Sequence, residues 1–303
     1  MKVKFWGVRG SIPTPGADTA EVGGNTSCVE VRTDDNILII FDAGTGIRLL
    51  GLSLMQEGFD KGGKIGHIFF SHTHWDHIQG FPFFAPAFVK GSLRSSRSEP
   101  GTPEDLPRSS NIFHFYGAKK VFEKLENTLK GQMENQYFPV SLDQMGATIK
   151  FHEIQPEKLI KIGENRIIPR QLHHPNGALG YRVENARGDK VVVYATDTEA
   201  LGGDLDPQVL ALAKGADVFI YDSQYTPEEY LGDPATQKTS KIGWGHSTWL
   251  DGTRLAEAAR VKQYILFHHD PSHSDKVLYE IEKQAQQYFP NSRLAYEGLE
   301  IIL

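Results

Sequence analysis

The chain has 303 residues, of which 39% are hydrophobic and 23% charged, with a formal net charge of -6 and a pI near 6.1. This composition is typical of a soluble globular protein, and no apolar run approaches the ~20 residues that cross a bilayer, which excludes a membrane-spanning protein. The acidic balance argues against broad affinity for nucleic acid, because sequence-independent binding to phosphates depends on Lys and Arg, and it leaves room for a local basic patch.

The N-terminal stretch and the single cysteine predict where the protein works. "MKVKFWGVRGSIPTPG" reaches Gly, Arg and Pro too early to hold the apolar core of a secretory signal, so we expect a cytoplasmic enzyme. Cys28 is the only cysteine and cannot form an intrachain disulfide. Its neighbours "NTSCVEV" offer no catalytic base, and we expect it to be a small strand residue.

Segments rich in β-branched and aromatic residues recur along the chain and predict strands. In order they are "KVKFWGV", "SCVEVR", "ILIIFDAG", "IGHIFFS", "RIIPRQL", "GYRVEN", "KVVVYATD", "DVFIYDS", "QYILFHH" and "LEIIL". Helical patterns lie between several of them: "GIRLLGLSLMQ", "AKKVFEKLENTLKGQ", "PQVLALAKG", "STWLDGTRLAEAARV" and "DKVLYEIEKQAQQYF". The alternation predicts an α/β or mixed fold with antiparallel hairpins at its two ends.

One stretch, Lys90 to Asn111, is rich in Ser, Pro, Gly and Arg and predicts a long surface loop. It carries Arg94, Arg97 and Arg108. We expect a single domain over residues 1–303 with an insertion at about 85–145.

The segment "FFSHTHWDH" concentrates potential metal ligands after a predicted buried strand. In an extended backbone His72 and His74 point to the same side, and both can bind one ion. Asp76 and His77 fall where the chain turns toward helix, and adjacent residues there diverge enough to face a second ion. Imidazoles with a carboxylate suit zinc, with iron or manganese as alternatives. Four such residues in six positions favour a metal site over a polar loop whose histidines are incidental.

Further ligands must come from elsewhere in the chain. Three predicted strand ends could supply them: "QLHHPNGALGYRVE", "VVVYATDTEA" and "YILFHHDPSHSD". The residues alone leave open which histidine of each His-His pair is used, His173 or His174, and His268 or His269.

The motif His72-x-His74-x-Asp76-His77 resembles the HxHxDH motif of the metallo-β-lactamase superfamily. The resemblance begins at "VRGSIPTPG" and "GGNTSCVEV", continues through "FDAGTG" and closes with "EGLEIIL". It implies an αββα sandwich, in which two mixed sheets pack face to face with helices on both outer faces and metal ions bind at a shared edge. Within the superfamily the chain is most similar to the phosphodiesterase branch, which contains ribonuclease Z and the cyclic-phosphate and cyclic-nucleotide phosphodiesterases.

This resemblance implies a complete set of metal ligands. One ion is held by His72, His74 and His174, a second by Asp76, His77 and His268, and Asp197 bridges them. Asp42 of "FDAGTG" is expected to orient ligating histidines, with an Asx turn as the structural alternative. His173 and His269 adjoin two of the ligands in the sequence. We expect them to contact those ligands without binding the metal themselves.

Two divalent ions can share a hydroxide and lower its pKa toward neutrality, which predicts hydrolysis with Asp76 among the catalytic residues. The stretch "GHSTWLDG" suggests which bond is cut. His246 precedes a predicted helix N-terminus, a position that favours an anion such as phosphate. In ribonuclease Z and its relatives a "HST" histidine pairs with a carboxylate and protonates the leaving group.

Asp222 stands at the position of that carboxylate. The chain departs from ribonuclease Z here, with "YDSQ" in place of "HEAT". Ser247 and Thr248 are equally well explained as helix caps, and Asp222 as a strand-end residue.

Several other residues receive weaker assignments. Arg9 and Asn25 lie in glycine-rich loops and are candidate phosphate contacts, and Trp75 is a candidate apolar wall for a base or ring. Three histidines within strand-like runs are expected to be hydrogen-bonded rather than ligating: His67, His114 and His152.

The leading hypothesis is a dinuclear metal-dependent phosphodiesterase that cleaves small phosphodiesters such as cyclic nucleotides with a hydroxide shared by two divalent ions, zinc being the expected metal. One alternative is a ribonuclease Z-like enzyme that processes tRNA 3' ends, for which the arginines of the Lys90 to Asn111 loop are the candidate exosite. A third, from a different class, is a non-catalytic nucleotide-sensing module. The expected partners are the phosphodiester substrate and, for a dimer, a second copy of the chain.

Overall fold

Two seven-stranded sheets packed face to face form the centre of the protein in the computed structural model. The structure describes residues 1–91, 109–200, 202, 204–233, 235 and 239–303, and within 119–124 it describes the backbone. Most of the Lys90 to Asn111 loop, with its three arginines, therefore lies outside the described residues. The predicted αββα sandwich is confirmed.

The first sheet has the strand order β14-β1-β2-β3-β4-β5-β6. The strands from β14 to β3 pair antiparallel, and β3 to β6 pair parallel. The bounds are β1 Lys2–Gly7, β2 Cys28–Arg32, β3 Leu38–Phe41, β4 Ile65–Phe69, β5 Ile112–Ala118, β6 Thr148–Ile154 and, from the far end of the chain, β14 Glu300–Ile302.

The second sheet has the order β13-β12-β11-β10-β9-β8-β7. Its strands pair parallel from β13 to β10 and antiparallel from β10 to β7. The bounds are β7 Ile160–Ile162, β8 Asn165–Leu172, β9 Ala178–Glu184, β10 Val191–Ala195, β11 Val218–Asp222, β12 Gln263–Phe267 and β13 Ser292–Leu294.

Helices cover the outer faces of both sheets. The α-helices of the described residues are α1 Ile47–Gln56, α2 Trp75–Ile78, α3 Lys119–Gln132, α4 Pro207–Ala213, α5 Pro227–Leu231, α6 Trp249–Ala259 and α7 Asp275–Tyr288. Apolar residues of α1 and α3 pack on the first sheet, and those of α4, α6 and α7 pack on the second. Within the described part of the chain, no helix combines the length and apolar character needed to cross a membrane.

The side-chain alternation of a strand explains how one sheet serves two cores. Ile39 and Phe41 of β3 point into the space between the sheets, whereas Leu38 and Ile40 point toward α1. All four are buried. Strands covered on both faces read as continuous apolar runs, which is why β3, β10, β11 and β12 were recognisable from the sequence.

The expected insertion at about 85–145 needs a correction. Residues 112–118 of that range form β5, an interior strand between β4 and β6, and residues 119–132 form α3. This part of the range belongs to the first sheet and its helical cover. The sequence did not show it because a long polar stretch precedes β5 and obscures the pairing of β5 with strands on both sides.

Candidate metal centre

The histidine-rich segment continues β4 as a short extended stretch and then forms α2. His74 is the extended N-cap residue of α2, and Asp76 and His77 lie on the helix. His72, Asp76 and His77 are buried. Because extended and helical backbone turn successive side chains differently, one segment directs its ligands toward two positions.

Three histidines form the first cluster of potential ligands. His72, His74 and His174 offer nitrogen atoms that all lie within 4.8 Å of one another. Nδ1 of His74 lies 3.3 Å from Nε2 of His174, which follows β8 of the second sheet. Nε2 of His72 is buried and has no hydrogen-bond partner among the described residues. An unpaired buried nitrogen costs about 1–3 kcal/mol, and a metal ion bound to it would remove that cost.

Two carboxylates and two histidines form the second cluster: Asp76, His77, Asp197 and His268. Oδ2 of Asp76 lies 3.1 Å from Nε2 of His77 and 3.2 Å from Nε2 of His268. Oδ2 of Asp197 lies 3.2 Å from Nε2 of His77 and 3.3 Å from Nε2 of His268. All four side chains are buried, so their donor atoms converge on one position with little access to water.

Asp197 lies between the two clusters. Its Oδ1 is 3.6 Å from Nε2 of His72, while its Oδ2 faces His77. This is the placement that a bridging carboxylate requires. The seven side chains supply imidazole and carboxylate donors, which suit zinc and also manganese or iron. Together with the unpaired nitrogen of His72, this donor set fits a centre for two divalent ions.

The protonation of the clusters depends on their mutual charges. Burial raises the pKa of Asp197, but the charges of His268 and His77 outweigh burial and hold that pKa well below its usual range. Burial lowers the pKa of His77, but Asp197 and Asp76 outweigh it and raise that pKa well above its usual value. Burial and His77 keep the pKa of His72 well below its usual value, which leaves the neutral ring that binds metals.

Asp42 orients His77 through Nδ1, the ring nitrogen that does not face the second cluster. Its Oδ2 lies 2.8 Å from Nδ1 of His77 and accepts hydrogen bonds from the hydroxyls of Ser71 and Tyr194. Its Oδ1 accepts from the backbone N–H of Ser71. A carboxylate at Nδ1 keeps the proton on that nitrogen and leaves Nε2 for a metal.

Three of these residues have left-handed backbone within two residues of the end of a strand. The φ angles are +59° at Asp42, +56° at Asp197 and +64° at His268. Such a conformation costs about 1–3 kcal/mol in a residue other than glycine. It breaks the alternation of the preceding strand and turns the side chain across the edge of the sheet.

His246 and Asp222 form a hydrogen-bonded pair beside the clusters. Nδ1 of His246 lies 2.9 Å from Oδ2 of Asp222, the last residue of β11. Asp222 also accepts from the backbone N–H groups of Ser247 and Asp197. Burial lowers the pKa of His246, but the charge and hydrogen bond of Asp222 outweigh it and raise that pKa to about 9. The ring centroid lies 5.0 Å from that of His268, so the pair borders the second cluster.

The "GHST" segment also caps a helix. Thr248 is the N-cap of α6 and exchanges hydrogen bonds with Asp251 in a capping box. The hydroxyl of Ser247 donates to the backbone oxygen of Thr198. The capping explanation is therefore correct for Thr248, while His246 lies outside the cap and beside the clusters.

Arg9 does not face the site, and its expected contact with phosphate is corrected. The side chain is fully buried. Nε donates to the backbone oxygen of Gly23, and Nη1 donates to those of Asp270 and His273. Nη2 lies 3.6 Å from Asp275. These contacts join the segment between β1 and β2 to the loop between β12 and α7, so Arg9 stabilises both and is inaccessible to a substrate.

Asn25 needs the same correction. Its side-chain nitrogen donates to Glu297, and its backbone N–H donates to the other oxygen of that carboxylate. The amide is therefore used to hold a loop in place. Trp75, by contrast, is 78% exposed at the start of α2, directly beside His74. Its expected role as a wall for a ring is compatible with that position.

The two competing histidines lie apart from the clusters. His173 is exposed because it precedes His174 in extended backbone and points to the other side. His269 is buried, and its Nε2 donates to the backbone oxygen of Ala295. Its backbone N–H donates a hydrogen bond to the backbone oxygen of Val8, and its backbone oxygen accepts one from the N–H of Gly10. His269 therefore supports the loop after β1, and neither residue orients a ligand through its ring.

Three side chains near the clusters were not identified from the sequence. Oε1 of Gln224 lies 3.0 Å from Nδ1 of His268. The amide of Asn176 lies 3.1 Å from Nε2 of His74, and rotation of that amide lets its oxygen accept the Nε2 proton. The buried carboxylate of Glu199 accepts hydrogen bonds from the backbone N–H groups of Gly243 and Gly245. Gln224 stands in "YDSQ", two residues after Asp222, and this proximity was the one available signal.

Glycine at position 245 is required by the ligand beside it. Its φ is +88°, and a Cβ there would lie 2.2 Å from Nδ1 of His174. The backbone oxygen of Gly245 lies 3.1 Å from that Nδ1. The oxygen accepts the Nδ1 proton, which leaves Nε2 of His174 directed at the first cluster.

Comparison with known proteins agrees with this geometry. Residues 37–269 match the family model described as Beta-lactamase superfamily domain, a span that includes every residue of the two clusters. A ribonuclease Z of Picrophilus torridus is 27% identical over 99% of this chain and 95% of its own length. A ribonuclease Z of Enterococcus faecalis is 23% identical over 100% of this chain and 97% of its own length.

Solved structures share the fold at lower identity. The metallo-beta-lactamase fold protein YhfI of Bacillus subtilis superposes with a TM-score of 0.68 at 17% identity, covering 99% of this chain and 98% of its own. A diphosphatase of the PhnP family superposes with a TM-score of 0.64 at 18% identity, covering 100% and 97%. The chain therefore belongs to the beta-lactamase superfamily, in the branch of metallo-β-lactamase-fold, metal-dependent hydrolases that includes ribonuclease Z and phosphodiesterases.

Proposed function

We propose that the protein is a phosphodiesterase that cleaves small phosphodiesters, with cyclic nucleotides as the concrete substrate class. The observation that carries this proposal is the 2.9 Å pair of His246 and Asp222 beside the two ligand clusters. Hydrolysis of a phosphodiester needs a proton for the departing alkoxide. A buried histidine held by a carboxylate beside the metal centre supports that role.

Both ring nitrogens of His246 have a defined use in this proposal. Nδ1 donates to Asp222, which fixes the orientation of the ring and stabilises its protonated form. Nε2 then carries the proton that passes to the leaving oxygen. The charge and hydrogen bond of Asp222 raise the pKa of His246 and so favour the protonated ring that this role needs.

The seven cluster residues would hold two divalent ions, and we propose zinc, with manganese and iron as alternatives. When bound, these ions supply an activated water and neutralise charge on the phosphoryl oxygens. Asp42, Gln224 and the backbone oxygen of Gly245 keep three ligating histidines in the required tautomers. The burial of the second cluster excludes bulk water from the ligands.

The test is turnover by the zinc- or manganese-loaded protein. We expect hydrolysis of bis-p-nitrophenyl phosphate and of 2',3'- or 3',5'-cyclic nucleotides. His246→Ala should lower kcat on the cyclic nucleotides about 10²- to 10⁴-fold, the usual contribution of a general acid. The loss on bis-p-nitrophenyl phosphate should be much smaller, since p-nitrophenolate leaves without a proton. Absence of turnover on all of these substrates contradicts the proposal.

A second candidate is tRNA 3' processing, and the relatives named ribonuclease Z over nearly the whole chain favour it. It requires a surface that grips tRNA. The net charge of -6 gives it no general support. Salt-dependent binding of precursor tRNA that weakens when Arg94, Arg97 and Arg108 become Ala would favour this function over the first.

The non-catalytic module is distinguished by one variant. Asp76→Ala removes a carboxylate from the second cluster. If the protein is a hydrolase that uses this centre, kcat should fall by several orders of magnitude in a metal-loaded sample. Unaltered activity would mean that the activity comes from a contaminant or that the metal is structural.

A further inference from the structure

A cavity of about 550 Å³ lies next to the metal centre, between α5 and the first turns of α6. Its walls are mostly apolar and include Tyr230, Leu231, Ile242 and Leu250. The volume lies within the range of sites that bind small organic molecules. None of the roles assigned above to the metal centre uses this cavity.

The cavity adjoins the ligand cluster. A second cavity of about 330 Å³ is lined by His174 itself, and the two share His173, Glu199 and Gly243. The exposed ring of His173, which does not serve the ligands, thus lies where the cavities meet. The two cavities together therefore extend from His174 to α5 and α6.

A carboxylate lies at the boundary between the two cavities. The two oxygens of Glu199 accept hydrogen bonds from the backbone N–H groups of Gly243 and Gly245 and from the hydroxyl of Tyr230. These neutral donors hold the carboxylate in place. Because a carboxylate repels an anion, the part of the substrate that enters the cavity should carry no negative charge.

Two large apolar side chains at the mouth of the cavity are exposed to solvent. Leu231 is 64% exposed and Ile242 is 59% exposed. Adjacent exposed apolar side chains on the rim of a cavity are typical of a binding site, because they bury apolar area when a ligand binds. Arg254 also lines the cavity; it is half exposed, and its Nη1 lies 3.7 Å from Asp251.

From these observations we propose that the cavity is the subsite for the nucleobase of a nucleotide substrate. An uncharged, flat ring fits the apolar walls, and the acceptor atoms on its edge match the guanidinium of Arg254. The proposal rests on the phosphodiesterase function and specifies which end of the substrate gives selectivity.

The experiment compares adenosine 2',3'-cyclic phosphate with methyl ribofuranoside 2',3'-cyclic phosphate. The two have the same reacting ester and the same sugar, and only the first has a base. With metal-loaded enzyme we expect kcat/KM at least tenfold higher for the adenosine compound, since a base would bury on the order of 100 Å² of apolar surface. Equal values for both compounds overturn the subsite and leave the phosphodiesterase function intact.

The doubly substituted variant Leu231→Ser, Ile242→Ser locates the effect. Both side chains are largely exposed, so the fold should not depend on them. KM should rise about tenfold for the adenosine compound with kcat unchanged, and should stay the same for the compound without a base. The matched control is Leu52→Ser on α1, a leucine that is 46% exposed on the outer face of the first sheet. A similar rise in KM in the control, or for both compounds, overturns the proposal.

If neither compound is hydrolysed, and bis-p-nitrophenyl phosphate and 3',5'-cyclic nucleotides are not hydrolysed either, the phosphodiesterase function is wrong. Equilibrium binding still tests the cavity in that case. Calorimetric titration of the metal-loaded protein with adenosine 2',3'-cyclic phosphate should then give a Kd about tenfold weaker in the double variant than in the Leu52→Ser control. Equal Kd values overturn the subsite independently of turnover.

Discussion

Asp42 illustrates how single side chains that contact no substrate determine the chemistry of the centre. It is fully buried, it has left-handed backbone, and it accepts from Ser71 and Tyr194 as well as facing Nδ1 of His77. The strained backbone is tolerated because these hydrogen bonds stabilise the one orientation that works. The sequence indicated the role of Asp42 only through a family motif, since its partners lie 29 to 152 residues away.

Asp42→Asn tests this role. The amide keeps the shape of the side chain, but it replaces one acceptor oxygen with a donor and removes the charge that holds the Nδ1 proton of His77. We expect affinity for zinc to fall about 10- to 100-fold, as measured by competition with a chromophoric chelator. Asp60→Asn on the surface is the matched control. Equal affinity of the two variants would show that Asp42 does not orient the ligand.

At the scale of secondary-structure elements, β4, β5 and β6 place an unusual row of rings on the inner side of the first sheet. His67 pairs in register with His114, and Tyr116 pairs with His152. Nδ1 of His114 lies 2.7 Å from Nε2 of His152, and the hydroxyl of Tyr116 lies 3.0 Å from Nδ1 of His67. The expectation of hydrogen-bonded, non-ligating histidines agrees with these contacts. Rings that are hydrogen-bonded to one another in this way are stable while the histidines are neutral.

This row should make stability depend on pH. Burial, together with the charges of His114 and His152, lowers the pKa of His67 to about 4. Between pH 4 and the ordinary value near 6.5 the unfolded chain binds more protons than the folded one, so stability falls as the pH drops through that window. The urea midpoint should therefore decrease from pH 7 to pH 5.

His67→Gln should reduce that decrease, because glutamine keeps a polar side chain without a titrating group. We expect the two proteins to differ in pH dependence by on the order of 1 kcal/mol in the free energy of unfolding. The metal ligands titrate in both proteins, so their contribution cancels in the comparison. Identical pH dependence would mean that the row is hydrated enough to be protonated without cost.

At the scale of the whole molecule, the ligands come from both sheets. The segment after β4 of the first sheet supplies His72, His74, Asp76 and His77, and strand ends of the second sheet supply His174, Asp197 and His268. Ions bound at this edge would join the two sheets. Their binding would add to the stability of the folded state, because the unfolded chain has no preformed site.

Metal removal should therefore lower thermal stability. At a free zinc concentration about 1,000-fold above Kd, binding contributes about 4 kcal/mol, which corresponds to a difference in Tm on the order of 10 °C. Differential scanning calorimetry with and without a chelator measures it. Asp197→Ala should respond much less to zinc, since it lacks the carboxylate that lies between the clusters. The same Tm with and without metal in the parent protein would exclude a stabilising centre.

Much of this protein is determined by the sequence itself. The apolar runs predicted most of the strands, because a strand covered on both faces must be apolar throughout. The types of ligand and the two-position arrangement of "HTHWDH" followed from local backbone geometry, which depends on neighbouring residues alone. These features are local, so a pattern of a few residues is enough to show them.

The tertiary structure decided what depends on distance between remote segments. His74 meets His174 across 100 residues, and Asp76 meets His268 across 192. The residues alone left His173 and His269 open, and these contacts agree with the choice that the family resemblance implied. The burial of Arg9 between two loops removed a weak candidate for phosphate contact. Gln224, Asn176 and Glu199 acquire their roles from partners brought close by folding. Such roles have no local pattern, since they arise from packing the two sheets together.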